Sequence, residues 1–139
     1  MSALAFIAVA VLAQVAGGPL TTREIARGIH CKKAGDCVVK RALVDRMLAD
    51  QESLASTVRI VPSLVDGAPD GFKLYAIRSG SWLDRLGVRN GDTLQAVNGY
   101  ELTTPAQALL AYMGLRNETR FAVRIVRRGE PLTLHFEIR

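Results

Sequence analysis

The chain has 139 residues, a net charge of +5 and an apolar content of 49%. This length accommodates one domain of ordinary size rather than two, and the apolar fraction is sufficient for a packed core. Basic and acidic residues are interspersed, and no run of five like charges occurs. A nucleic-acid-binding chain clusters Lys and Arg with aromatic residues on one face. The composition therefore excludes nucleic acid as the expected partner.

The amino-terminal segment is the most apolar part of the chain. Residues Ala3 to Ala13 contain no charged or polar side chain, and Gly17-Gly18-Pro19 ends the run. The run is shorter than the roughly 20 residues that span a bilayer, and it fits the apolar region of a secretory signal, although no Lys or Arg precedes it. We predict a signal peptide or membrane anchor segment over 1–19, with a short buried helix as the alternative.

The two cysteines, Cys31 and Cys37, enclose five residues that include the turn-forming pair Gly35-Asp36. A chain reversal there brings the two Cα atoms within disulfide reach, and such a bond persists in an oxidising compartment. The alternative is a pair of reduced thiols in a cytosolic protein. A zinc site is not favoured, because His30 is the only further ligand nearby.

Residues 20–57 read as a helical lead-in that contains the Cys31–Cys37 loop. Thr21 or Thr22 is placed to cap a short helix, with Glu24 near its third position. A second helix is indicated after Val39 by an apolar stripe at helical spacing. The members of this stripe are Leu43, Val44, Met47 and Leu48.

From residue 58 onwards the apolar period changes from helical to strand-like. Val58, Ile60 and Leu64 alternate with polar residues, and Pro62 restricts this strand to an edge or a bulge. The remaining elements, in order, are a strand at 72–78, a helical turn at 81–86, strands at 93–97 and 100–102, a helix from Pro105 to Leu115 or Arg116, and a hairpin over 121–138. The order predicts an α+β fold over 58–139, a small partly open β-barrel of five to six strands with two helices, preceded by the helical lead-in.

Four short motifs fall inside this region in a fixed order. They are Gly80-Ser81, Leu86-Gly87, Asn90-Gly91-Asp92 and Val97-Asn98-Gly99. Together they resemble the signature of PDZ domains from bacterial periplasmic proteins. The glycines suit turn positions with positive φ, and Asp92 is placed to accept hydrogen bonds from loop amides.

A closer resemblance is to the PDZ region of the type II secretion C-protein family (general secretion pathway protein C). It rests on Arg59-Ile60-Val61-Pro62-Ser63, on the segment 71–78 and on Arg127-Arg128-Gly129. The resemblance implies a periplasmic subunit associated with the inner membrane that helps to select or pass folded exoproteins. The chain departs from that family because it lacks the long region between the membrane anchor and the PDZ domain through which the family is expected to touch the secretin.

The resemblance also implies a groove between one strand and the longer helix, to which a partner peptide adds as a further strand. By position we assign the strand to Phe72–Tyr75, and we predict that Ala108, Leu109, Tyr112 and Leu115 form the buried stripe of the helix. Other apolar residues of that helix then line the groove, or alternatively pack on Leu43 and Met47. The predicted groove residues are Gly71, Phe72, Lys73, Leu74, Tyr75, Ala106, Leu110 and Met113.

The ligand class is narrowed by two acids, Asp66 and Asp70, that lie close to Gly71. Carboxylates near this loop repel a terminal carboxylate, so we expect an internal strand or a hairpin rather than a free carboxyl terminus.

Neither catalysis nor a cofactor is indicated. No Gly-x-Ser-x-Gly motif occurs, the acidic residues form no pair, and His135 alternates with Leu134 and Phe136 so as to face outwards. We predict a non-catalytic, cofactor-free PDZ module in the periplasm, exported or tethered to the inner membrane, that binds segments of an exoprotein, pseudopilin or secretin in type II secretion. The alternatives are an accessory subunit that regulates a separate periplasmic protease and a purely structural assembly domain.

Overall fold

A computed structural model describes residues 20–50 and 56–139, so the predicted signal or anchor segment lies outside the described residues. Within them the chain forms four helices and eight strands. The helices are α1 (Thr22–Gly28), α2 (Arg41–Leu48), α3 (Trp82–Leu86) and α4 (Pro105–Leu115). The strands are β1 (Ile29–Lys33), β2 (Asp36–Val39), β3 (Arg59–Val65), β4 (Ala68–Tyr75), β5 (Thr93–Val97), β6 (Tyr100–Glu101), β7 (Arg120–Arg127) and β8 (Glu130–Ile138).

All eight strands belong to one open sheet, in the order β1-β2-β8-β7-β5-β4-β3, with β6 paired to β5 beside this path. Neighbouring strands are antiparallel except β2 and β8, which are parallel. Three hairpins use two-residue turns in which both residues have positive φ, namely Asp66-Gly67, Asn98-Gly99 and Arg128-Gly129. Turns of this kind match the right-handed twist of the flanking strands, so they fix the register of β3–β4, β5–β6 and β7–β8.

The predicted α+β architecture is confirmed. Residues 59–138 form six strands and two helices, and the strands belong to a sheet that does not close on itself. Thr104 caps α4 by accepting a hydrogen bond from the Gln107 amide, and Pro105 occupies the first turn. Pro62 lies on an edge strand with a bulge beside it, between Ser63 and Leu64, as its missing N–H requires.

The lead-in contains both predicted helices, but its cysteine loop is a β-hairpin. Thr21 and Glu24 form a capping box at the start of α1. Cys31 and Cys37 are joined by a disulfide across the β1–β2 hairpin, as expected. Strand β2 then pairs with β8 over Asp36–Val39, which the sequence did not predict. The lead-in is therefore part of the same sheet as the region that follows it.

The core consists of two apolar clusters on either side of α3. One joins the lead-in to α3 and includes Ile25, Cys37 and Leu86, and the other fills the barrel around Ile125 and Leu134. Trp82 and Phe136 pack against both clusters, so the two halves of the core are continuous. In the part of the chain that the structure describes, no helix is long and apolar enough to cross a membrane.

Candidate functional site

The two outermost strands of the sheet differ in the side chains they expose. Strand β1 carries Lys32 and Lys33, both exposed, and charged residues of this kind keep an edge from pairing with other chains. Strand β3 instead exposes large apolar side chains. Those of Ile60, Leu64 and Val65 are 57%, 63% and 54% exposed. The β3 edge is therefore the outer edge of the sheet that is suited to receive another strand.

The apolar core is open at β3. Ile60 stands opposite Leu74 of β4, so the two side chains lie on the same face of the sheet. Leu74 belongs to the barrel core and is 6% exposed, whereas Ile60 is 57% exposed. The core face thus continues on to β3, where the described residues leave it largely uncovered.

Strand β4, to which the groove strand was assigned, has partners on both sides at three residues. Phe72, Lys73 and Leu74 pair with β3 on one side. On the other side Phe72 and Lys73 pair with β5, and the Leu74 amide donates to the Asp92 carbonyl at 3.0 Å. Because both sides of β4 are occupied at Phe72, Lys73 and Leu74, the outer edge of this part of the sheet is on β3 and not on Phe72–Tyr75. Gly71 and Leu74 are buried within the sheet.

The orientation of α4 also differs from the prediction. Ala111 is the buried residue of this helix, at 2% exposure, with Ala108 and Leu115 half-buried beside it. Leu109 and Tyr112 were expected to face inwards, but they are 60% and 59% exposed. The buried stripe is therefore Ala108–Ala111–Leu115, and the predicted stripe is wrong at Leu109 and Tyr112.

The position of β6 identifies the two flanks of α4. A Cβ at Gly114 would lie 2.7 Å from the ring of Tyr100, and Leu110 and Gln107 line a crevice with Tyr100 and Glu101. Successive helical residues are about 100° apart, so Leu109 and Tyr112 lie on the flank that faces away from β6. The three predicted groove residues on α4 do not share one flank of the helix. Leu110 faces the β6 crevice, whereas Ala106 and Met113 are exposed between the two flanks.

Leu110 and Met113 are 63% and 61% exposed. The alternative in which they pack on Leu43 and Met47 of α2 is therefore wrong. Leu43 and Met47 belong instead to the cluster formed with α1 and β2.

A buried ion pair fixes the loop that supports β4. The Asp92 carboxylate is 1% exposed, and it accepts hydrogen bonds from Arg127 Nε at 3.0 Å and Nη2 at 2.8 Å. It also accepts the Arg89 amide at 2.7 Å, which confirms its predicted role in binding loop amides. Hydrogen bonding to Asp92 raises the pKa of the Arg127 guanidinium, so this cation is permanently charged.

The charged residues near β3 are separated along its length. Arg59 begins the strand and is exposed, and Arg78 lines a cavity of about 300 Å³ together with Thr57, two residues before Arg59. Asp66 follows the strand and is exposed. Asp70 lies beside the bulge, but its carboxylate accepts the Gln95 side-chain amide at 2.9 Å. The acids therefore lie at the carboxyl end of the edge strand and the cations at its amino end.

Among residues 20–50 and 56–139, no group of three His, Cys, Asp or Glu side chains is arranged to hold a metal ion. His30 bonds the Arg27 carbonyl, and His135 is exposed on β8, facing outwards as predicted.

A partly open six-stranded barrel with two helices and one apolar free edge is the architecture of a PDZ domain. The PDZ domain of EpsC from Vibrio cholerae, residues 204–305, shares it with a TM-score of 0.53 at 18% identity, covering 69% of this chain and 91% of that one. The chain therefore has the PDZ fold, and the predicted resemblance is confirmed at the level of the fold.

Other solved structures are similar to smaller extents. A shorter piece of the same EpsC domain, residues 219–305, gives a TM-score of 0.46 at 20% identity, covering 58% of this chain and 92% of that one. The PDZ domain of the pullulanase C protein of the type II secretion system from Klebsiella pneumoniae, in complex with fatty acid, gives 0.49 at 24% identity, with coverages of 68% and 98%. No protein-family model and no curated protein sequence matches the chain.

Proposed function

We propose that the chain is a non-catalytic PDZ module that binds an extended segment of a partner protein by adding it as a strand to β3. The observation that carries the proposal is the free β3 edge, where Ile60 continues the core face and is left 57% exposed. Main-chain hydrogen bonds to an edge strand supply affinity, and side-chain pockets supply selectivity. We assign the pockets to Ile60 and to the flank of α4 that carries Leu109 and Tyr112.

We further propose that the module acts in periplasmic protein transport, in type II secretion, with exoproteins, pseudopilins or the secretin as partners. Two observations support this placement. The Cys31–Cys37 disulfide is a feature of proteins in oxidising compartments, and the motifs over 59–78 and at 127–129 resemble the C-protein family. The chain is then exported or tethered to the inner membrane.

The binding mode is tested with two neighbouring leucines of α4. Leu109 and Leu110 are 60% and 63% exposed but lie on different flanks, so neither Leu109→Glu nor Leu110→Glu should disturb folding. The probe is a capped eight-residue peptide of alternating Val and Thr, titrated into the full chain by calorimetry. Loss of one buried apolar contact is worth about 1.5–3 kcal/mol, so Leu109→Glu should weaken binding about tenfold or more. Leu110→Glu should change it less than twofold.

The position of the added strand is read from the same titration by NMR. Amides of β3 that point to solvent in the free chain should become protected from hydrogen exchange, while those of β1 should not. The proposed site would be refuted if the two leucine variants weakened peptide binding equally, or if the amides protected from hydrogen exchange were confined to β1. Peptides from exoproteins, pseudopilins and the secretin of the same organism then test the role in type II secretion. If only the designed probe binds, the binding mode is supported and the role in secretion is refuted.

A further inference from the structure

We infer that the lead-in carries a second binding site, a cation-lined cavity between α1 and α2 that holds the phosphate group of an anionic phospholipid. The site uses none of the residues assigned to strand binding at β3, so the inference goes beyond that binding mode. Only the choice of a lipid as the source of the phosphate rests on the proposed function, through the proposed tethering to the inner membrane.

The cavity lies where the two helices of the lead-in approach each other closely. A Cβ at Gly28 would lie 2.5 Å from Cδ2 of Leu43, so only a glycine at the end of α1 allows this approach. The space beside this contact has a volume of about 310 Å³, and Ala42 and Leu43 are its apolar walls. Small-ligand cavities begin at about 300 Å³, so the space suits a small group such as a lipid headgroup.

The charges that line the cavity are mainly positive. Its cations are Arg27 of α1 and, from α2 and the residue before it, Arg46 and Lys40. Glu24 lines the cavity as well, but its carboxylate accepts the Thr21 amide at 2.8 Å and lies 3.7 Å from Arg46 Nε. The charges of Glu24 and Arg46 offset each other. Arg27 and Lys40 therefore leave the cavity with an excess of positive charge, to which a phosphodiester anion is complementary.

Both of these cations are available to a ligand. Arg27 and Lys40 are exposed, and within the described residues neither side chain forms an ion pair or a hydrogen bond. Arg23 lies four residues before Arg27 on α1, a spacing at which like charges destabilise a helix, and a bound anion would offset this repulsion. A guanidinium donates two parallel hydrogen bonds to a phosphate, and an ammonium group adds a point charge.

The source of the phosphate is indicated by the position of the cavity in the chain. The predicted signal or anchor segment covers 1–19, and α1 begins at Thr22. A helix rises about 1.5 Å per residue, so Arg27 lies about 8 Å along α1 from Thr22. With the chain tethered through this segment, the cavity lies near the bilayer surface, where anionic lipids attract basic residues. The apolar walls at Ala42 and Leu43 can also contact the glycerol ester part of a lipid, which free phosphate lacks.

The test uses short-chain lipids below their micelle-forming concentration, so that each molecule presents a single headgroup. Anionic dihexanoyl phosphatidylglycerol is titrated by calorimetry into the full chain, with dihexanoyl phosphatidylcholine and inorganic phosphate titrated in parallel. The two lipids have the same acyl chains, so apolar partitioning into the chain affects both. The site variant is Arg27→Gln/Lys40→Gln. The matched control is Lys32→Gln/Lys33→Gln, which removes the same charge from exposed residues of the same lead-in that do not line the cavity.

Phosphatidylglycerol should bind the wild-type chain more tightly than phosphatidylcholine, whose choline group cancels the phosphate charge. The site variant should weaken phosphatidylglycerol binding about three- to tenfold, because two exposed charge contacts are lost, and the control should weaken it less than about twofold. The difference between the two lipids should shrink at 0.5 M salt.

Equal weakening by the two double variants would overturn the site, because attraction by net charge alone would then explain the binding. Equal binding of the two lipids, or no binding of phosphatidylglycerol, would also overturn the site. Inorganic phosphate that binds at least as tightly as phosphatidylglycerol would overturn the lipid as the source. None of these outcomes bears on β3: Leu109→Glu should leave lipid binding unchanged, and Arg27→Gln/Lys40→Gln should leave binding of the Val-Thr peptide unchanged.

Discussion

Replacing Arg127 by Met tests the buried ion pair that holds the loop beneath β4. The variant keeps an apolar stem but leaves the Asp92 carboxylate, 1% exposed, with one remaining donor, the Arg89 amide. Removing one partner of a buried pair costs about 3–5 kcal/mol. Asp92→Asn should cost less, about 1–2 kcal/mol. The Arg127 side chain is one-third exposed and still donates to the Gly87 carbonyl at 2.7 Å. The side-chain oxygen of the substituted residue still accepts a hydrogen bond from the Arg89 amide.

The measurement is urea unfolding of the full chain under non-reducing conditions. Trp82 is the single tryptophan and packs against both apolar clusters, so its fluorescence reports on the lead-in and the barrel together. The two single variants and the double variant complete a cycle. We expect the double variant to be less destabilised than the sum of the single variants by at least about 1 kcal/mol.

The reasoning fails if Arg127→Met is no more destabilising than Asp92→Asn. It also fails if the two substitutions add to within about 0.5 kcal/mol, because side chains that share an ion pair are coupled. Either result would mean that water or another group compensates the Asp92 carboxylate. The loop would then be held mainly by its backbone hydrogen bonds.

Two further substitutions have expected outcomes. Gly71→Ala should destabilise the chain by about 3 kcal/mol in the same assay, because Gly71 has φ 143° and a Cβ there would meet the Leu94 carbonyl oxygen. The control is Gly67→Ala, which should cost only about 1–2 kcal/mol, because Gly67 has φ 79° and nothing lies near its Cβ. Equal costs of the two substitutions would contradict the role of close packing at Gly71. The Thr21 amide, with help from Arg46, holds the pKa of Glu24 below its ordinary 4.5. A carboxyl whose pKa is lowered by folding stabilises the fold above its unfolded pKa, and this stabilisation is lost as the pH falls through the folded pKa. The stability difference between wild type and Glu24→Gln should therefore shrink between pH 6 and pH 3. A difference that does not depend on pH would contradict the capping interaction.

Elements specified by local chemistry could be predicted from the sequence. Asp66-Gly67, Asn98-Gly99 and Arg128-Gly129 are turn-forming pairs, and in each of them both residues adopt positive φ. Thr104-Pro105 starts a helix in the structure as it does by rule. In these positions the conformation depends on residues that are adjacent in the chain, so no knowledge of distant neighbours is needed.

The identity of the free edge depends on pairing between distant strands. Whether β3 or β4 lies outermost is decided by the pairing of β4 with β5, which the alternation of side chains within each strand does not encode. One local signal did point to β3: Pro62 lacks an N–H, and proline is tolerated on edge strands. Giving this proline more weight than the resemblance predicts the free edge at β3, where the structure has it.

The rotation of α4 could not be predicted for a different reason. Residues 105–115 include no charged side chain, so the helix has no polar face to mark its outer side. Ala111 is the buried residue of the helix, and on a different flank a Cβ at Gly114 would lie 2.7 Å from the Tyr100 ring; both placements depend on elements distant in the sequence. The β1–β2 hairpin was likewise missed, because β1 has one buried residue followed by four exposed ones and lacks the alternation of a half-buried strand.

The hairpin of the lead-in limits how many strands the sheet can accept. Strand β2 covers the outer side of β8, and the last residue is tied in by hydrogen bonds from the Arg139 amide to the Val39 carbonyl and from the Arg41 amide to the Arg139 carbonyl. A PDZ barrel without this hairpin would present β8 as a second long edge. Among the described residues the far edge is β1, whose Lys32 and Lys33 are exposed and oppose pairing with another chain. If the proposed binding at β3 holds, we expect the chain to accept one partner strand, and sheet growth should not propagate from one copy to the next.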